Sequence, residues 1–216
     1  QHRFDTLGAY GDRQCDTPAL DAFAGESILF DRHITPCPLC VPTRTALATG
    51  YYPHHSGAMI NTWIPQEEAY GTLKPHYTTV YERLGQGGYD FAHIGVQHIH
   101  SNPPLQQRCT GGTFITNTDY KAYLQAQGIE NLKDTEYRAP CPEFIEGRMV
   151  ADYYTSAHAG THPVPHKHFL DSFIADRSVE FIDRHQPDQP LALACKFWAP
   201  HPPLAVPAPL DRKSVV

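Results

Sequence analysis

Four side chains in this sequence have types and settings that could carry chemistry: Cys40, Arg44, His98 and His201. Cys40 opens the run Cys40-Val41-Pro42-Thr43-Arg44-Thr45-Ala46-Leu47-Ala48-Thr49-Gly50, which continues into Tyr52-Pro53-His54-His55-Ser56-Gly57. Residues 40–49 have helical composition after a Pro-rich approach, and Gly50 is placed to close the helix, so Cys40 is predicted at a helix N-terminus. Backbone N–H groups left unpaired there, together with the positive end of the helix dipole, favour an anion and the charge that develops on it. Arg44 lies one turn further on and can project to the same end, supplying a planar fork of donors. A nucleophile beside a site for a tetrahedral oxyanion is the chemistry this arrangement would serve. The plainer alternative is a buried or redox-active thiol, because Cys37-Pro38-Leu39-Cys40 also has the C-x-x-C spacing of a redox pair or half a zinc site. No second C-x-x-C is present to complete a zinc site.

The elements that must position these residues follow from pattern. Residues 78–84 are predicted as a helix ended by Gly85, Gly87 and Gly88, and residues 89–95 as a strand running into the loop that holds Gln97 and His98. Leu170, Phe173, Ile174, Phe181 and Ile182 follow helical spacing over 168–185, with charged residues on the other face. Residues 191–198 are nearly continuously apolar, as in a strand covered on both faces of a parallel sheet, and Ala199-Pro200-His201-Pro202-Pro203 is the loop at its carboxyl end. Near the start, Thr17-Pro18 caps a short helix that Gly25 ends, and residues 27–30 read as a strand. Residues 101–168 are rich in Pro, Gly and His with one helix near 119–127, so they read as an irregular insertion. Alternating helices and strands give an α/β layered fold, in which ligands sit at the carboxyl ends of strands.

Composition narrows the classes of function. Of the 216 residues, 41% are hydrophobic and 19% charged, a balance that supports a packed core rather than disorder. The formal net charge is -6 and no basic stripe is present, which argues against a nucleic-acid partner. The apolar run at 191–199 contains Lys196 and falls far short of the about 20 residues needed to span a bilayer. The six cysteines are scattered apart from Cys37 and Cys40 and do not form a dense disulfide framework, leaving the redox compartment open. The chain opens at Gln1 with no basic and apolar leader, so either a leader has been removed or the numbering begins inside a longer protein.

The Cys40 to Gly57 segment resembles the signature of the type I sulfatases, in which a Cys-x-Pro-x-Arg core opens a helix running to Thr-Gly and a Tyr-Pro turn. Three further segments agree in order. Gln1-His2-Arg3-Phe4-Asp5-Thr6-Leu7-Gly8 is similar to the family's opening, Ile94-Gly95-Val96-Gln97-His98 to its Gly-Lys-x-His loop, and Pro200-His201-Pro202-Pro203 to its Pro-His-x-Pro loop. The Lys of the second of these is Val96 here, which removes a cation. The resemblance implies an alkaline phosphatase-like fold with a mostly parallel central sheet flanked by helices, incomplete in this chain. Residues 1–216 would then be the N-terminal part of a catalytic domain.

It further implies that a formylglycine-generating enzyme oxidises Cys40 to formylglycine, whose hydrated aldehyde attacks the sulfur of a small-molecule or glycan sulfate ester. Arg44 would stabilise the oxygens, His98 would orient the diol or take its proton, and His201 would contact the sulfate. Ca²⁺, or another divalent cation, would bind the modified Cys40, with Gln1 as a weak ligand or merely a solvated terminus. The family's first metal-binding Asp would lie immediately before Gln1, and further ligands would follow Val216, so the 216 residues alone are expected to be inactive. The alternatives are a phosphonate monoester or phosphodiester hydrolase of the same superfamily, a non-catalytic truncated relative, and a C-x-x-C redox module.

Overall fold

Strand β1 (Asp90–Gly95) is buried from its second residue onward, so both of its faces must be covered by apolar partners. Ala92 and Ile94 pack on one side with Tyr120, Leu124, Phe173, Ile174 and Phe181. Phe91 packs on the other with Ala48, Tyr81, Ile99 and Leu105. The first group comes chiefly from helices α7 (Asn117–Ala126) and α8 (Leu170–Asp183), the second from α2 (Cys40–Thr49) and α5 (Val80–Gln86). The computed structural model, which describes residues 3–62, 68–131, 139–154 and 159–210, thus has helices on both faces of a central sheet.

That sheet has the order β2-β1-β6, with β2 at Thr113–Ile115 and β6 at Leu191–Lys196, and both pairings are parallel. In register, Asp90 lies opposite Leu191 and Gly95 opposite Lys196. Parallel strands share one carboxyl edge, so the chain leaving β1 toward His98 and the chain leaving β6 toward His201 start side by side. Elsewhere, β3 (Ala139–Ile145) and β4 (Arg148–Tyr154) form an antiparallel hairpin, and β5 (Ala159–His162) pairs in parallel with β7 (Leu204–Pro207). The remaining helices are α1 (Pro18–Gly25), α3 (Pro53–Ser56), α4 (Glu68–Gly71) and α6 (Leu105–Arg108).

Helix α5 starts where side chains satisfy its first amides: Thr79 accepts from the Glu82 N–H while Glu82 accepts from the Thr79 N–H at 2.8 Å, a reciprocal cap. Three expectations differ from what forms. Residues 27–30 are not a strand, and Ile28 is 83% exposed, because among the described residues no strand lies alongside to take up its backbone groups. The described part of 101–168 carries regular elements, and β2 within it joins the central sheet as an edge strand. Strand β6 is half-buried rather than covered, since it too is an edge of the sheet and one of its faces borders a cavity.

Candidate active site

Cys40 is the first residue of α2, which ends at Gly50 in the left-handed conformation (φ 74°), where the Gly50 N–H donates to the Ala46 carbonyl at 2.8 Å. The Cys40 side chain is half-buried, and its thiol and that of Cys37 are both free, so the two are not joined as a redox disulfide. The first turn of α2 offers fewer anion donors than its position predicts. The Val41 N–H donates to Asn61 Oδ1 at 2.9 Å, Pro42 has no N–H, and the Thr43 N–H donates to the Leu39 carbonyl at 3.0 Å. Dipole and geometry remain as expected, but of the donors a helix start leaves open, one is taken at Val41 and one is absent at Pro42, the Thr43 bond being the first of the helix itself.

Arg44 is half-buried and its Nη1 donates to the Val96 carbonyl at 2.9 Å, tying α2 to the loop after β1. Burial holds the guanidinium below its ordinary pKa, opposed by the nearby Cys40. Val96 is 2% exposed and its N–H donates to the Lys196 carbonyl at 3.0 Å. The loop is therefore clamped between Arg44 on one side and β6 on the other. Its turn depends on Gly95 (φ 105°), where a Cβ would stand 2.1 Å from the Lys196 carbonyl oxygen.

His98 follows with a positive φ of 47°, a conformation that costs a residue with a Cβ about 1 kcal/mol or more and is held here by the clamped loop. Burial first, then the charges of Arg44, His100 and His201, push its pKa down to about 4. His98 is therefore neutral at physiological pH, with a ring nitrogen able to accept a hydrogen bond.

His201 N–H donates to the Trp198 carbonyl at 3.0 Å, and its Nδ1 donates to the Pro202 carbonyl at 2.7 Å, which leaves Nε2 open. The Trp198 ring lies 4.0 Å from the His201 ring and edge-on to His98 at 6.3 Å. Asp171, in the first turn of α8, accepts from the Trp198 N–H at 2.6 Å and the Ala199 N–H at 2.9 Å. The loop bearing His201 is thus anchored to the first turn of α8.

Cys40 lies near enough to act on Arg44, and Arg44 and His201 near enough to act on His98, so the four side chains share one neighbourhood. Gln1 lies outside the described residues. Among the described residues no group of three His, Cys, Asp or Glu is placed to hold a metal ion, so these residues by themselves do not fit a Ca²⁺ site. Asn61, Asp171 and Lys196 were not picked out from sequence. Only Asp171 carried a signal, an acidic residue in the first turn of a predicted helix.

This fold and this sequence have counterparts among known proteins. The sulfatase family model matches residues 1–215, and the chain belongs to that family. Human N-acetylgalactosamine-6-sulfatase is 27% identical over 210 residues, covering 92% of this chain and 37% of the relative. The pig N-acetylgalactosamine-6-sulfatase is 35% identical over 157 residues, covering 68% and 28%, and the Clostridium perfringens arylsulfatase 24% identical over 218 residues, covering 96% and 43%. The chain spans less than half the length of each.

Among solved structures, the phosphonate monoester hydrolase of Agrobacterium radiobacter superposes with a TM-score of 0.68 at 20% identity, over 99% of this chain and 42% of its own. BT4656, solved in complex with its substrate D-glucosamine-2-N,6-O-disulfate, superposes with a TM-score of 0.55 at 20% identity, over 91% and 32%. The fold is accordingly alkaline phosphatase-like, of which this chain forms a part. Among the described residues no helix is long and apolar enough to cross a membrane.

Proposed function

We propose that this chain carries the nucleophile side of a sulfuric ester hydrolase site that cleaves sulfate monoesters. The observation that carries the reading is Cys40 at the first position of α2, half-exposed, with Arg44 one turn on and the neutral His98 within its field. Oxidation of Cys40 to formylglycine by a formylglycine-generating enzyme would supply a hydrated aldehyde oxygen as the attacking group. Arg44, aimed by the Val96 carbonyl, holds oxygens of the sulfate and offsets the charge that builds on them. His98, held neutral by its burial, is placed to orient the diol through a hydrogen bond or to take its proton. His201 presents Nε2 to the ester from the Asp171-anchored loop.

The names of the N-acetylgalactosamine-6-sulfatases and the disulfated glucosamine bound in BT4656 favour a sulfated sugar as substrate. A phosphonate monoester or phosphodiester is the second reading, favoured by the superposition on the Agrobacterium enzyme, because a tetrahedral anion with a departing alkoxide needs similar donors. Parallel kinetics of the full-length protein on an aryl sulfate and an aryl phosphonate separate the two. Faster turnover of the sulfate, abolished in Cys40→Ala, is expected. Preference for the phosphonate establishes the second reading, and undiminished turnover by Cys40→Ala removes both.

A further inference from the structure

Two cations with no acidic partner face the same space. Arg44 and Lys196 both line a cavity of about 290 Å³ between α2, α5 and the β1–β6 face of the sheet. Among the described residues neither forms an ion pair with a carboxylate. Burial and the charge of Arg44 hold the Lys196 ammonium below its ordinary pKa. Like charges left together in a half-buried site are costly unless an anion joins them.

Two further polar atoms around this space have no hydrogen-bond partner among the described residues. His93 is 1% exposed, with Nδ1 2.7 Å from the Tyr81 hydroxyl and a buried Nε2 that has no hydrogen-bond partner. The Gln97 side-chain amide nitrogen is likewise buried and unpartnered. Both residues line the cavity, and no carboxylate does. The rest of the wall, including Leu47, Ala48 and Leu84, cannot solvate a charge. A lining of cations and unused nitrogens calls for an occupant rich in acceptors.

The surrounding backbone makes the need more specific. The first turn of α2 lacks two of its open donors, one bonded to Asn61 and one absent at Pro42, and Val96 contributes a carbonyl rather than a positive charge. Lys196 closes β6 opposite Gly95, at the same carboxyl edge of the sheet from which the His98 loop leaves. We propose that Lys196 is a substrate-binding residue that joins Arg44 and Gln97 in holding the sulfate oxygens, delivering from β6 the second positive charge that the loop after β1 does not provide. This rests on the sulfate ester reading for the identity of the anion.

The test is calorimetric titration of the full-length protein with inorganic sulfate, alongside thermal unfolding, for the unaltered protein, Lys196→Met and Lys196→Arg. Lys196→Met is expected to weaken sulfate binding about tenfold or more, the usual scale for one charge-assisted hydrogen bond. Lys196→Arg is expected to keep most of the affinity. Without sulfate, Lys196→Met is expected to unfold no earlier than the unaltered protein, since an unpaired half-buried charge has gone, whereas a merely structural lysine would leave it weaker. Equal sulfate affinity in Lys196→Met, or no sulfate uptake by the unaltered protein, overturns the proposal. If Lys196→Met does not fold, Lys196→Gln is read by the same titration. Sulfate uptake needs neither an oxidised Cys40 nor turnover. An inert protein that still loses sulfate in Lys196→Met therefore contradicts only the proposed activity, and an active one with unchanged affinity contradicts only Lys196.

Discussion

His93 and His98 are both held neutral in the folded chain, with pKa values pushed down to about 4 mainly by burial. In the unfolded chain each returns to the ordinary value of 6.5, so between these limits the unfolded state binds more protons and stability rises with pH. The contribution is complete above 6.5 and is lost as pH falls toward about 4. Urea midpoints measured across that window are expected to fall with acidification, and His93→Gln is expected to flatten the slope. A slope unchanged by His93→Gln would show that this imidazole is not the source. At this scale the sequence offered Cys40, Arg44, His98 and His201 as candidates, because each sits in a short motif whose neighbours declare its setting. Asn61, Asp171 and Lys196 stayed hidden, because their roles arise from meetings across the fold: Asn61 with the Val41 amide, Asp171 with the chain leaving β6, and Lys196 with Arg44.

The elements that hold the site are coupled through the carboxyl edge of the sheet. Gly95→Ala would force a Cβ against the Lys196 carbonyl oxygen at a positive φ, and is expected to cost more than about 2 kcal/mol in denaturant unfolding while loosening the His98 loop. Asp171→Ala leaves the Trp198 and Ala199 amides without their acceptor. It is expected to cost about 2 kcal/mol and to raise KM more than it lowers kcat, because it frees the loop that presents His201 without touching Cys40 or Arg44. Unchanged stability and KM would show that the loop keeps its position without this anchor. Helix α2 was legible from end to end, since a Pro-rich approach and Gly50 bracket it. Helix α8 was legible from its apolar spacing. Residues 27–30 misled because strand composition reports apolar surface and not the neighbour needed to pair it. Strand β2 was missed because three residues carry too little periodicity to stand out from the loops around them.

At the scale of the molecule, the three parallel strands and their flanking helices bring a cysteine, a guanidinium and two histidines into one neighbourhood, but the described residues assemble no metal cluster. The 216 residues by themselves, with Ca²⁺ added, are therefore expected to show no turnover of an aryl sulfate. Turnover under those conditions would mean that the parts present suffice. The claim on which all else rests is that Cys40 is a precursor of the nucleophile rather than a thiol. Peptide mass spectrometry on the protein expressed together with a formylglycine-generating enzyme examines it directly. The predicted result is that the peptide containing Cys40 has lost its sulfur and gained an aldehyde, trapped by a hydrazide, while the peptide containing Cys109 keeps its thiol. An intact thiol at Cys40, or a disulfide between Cys37 and Cys40, would contradict the account.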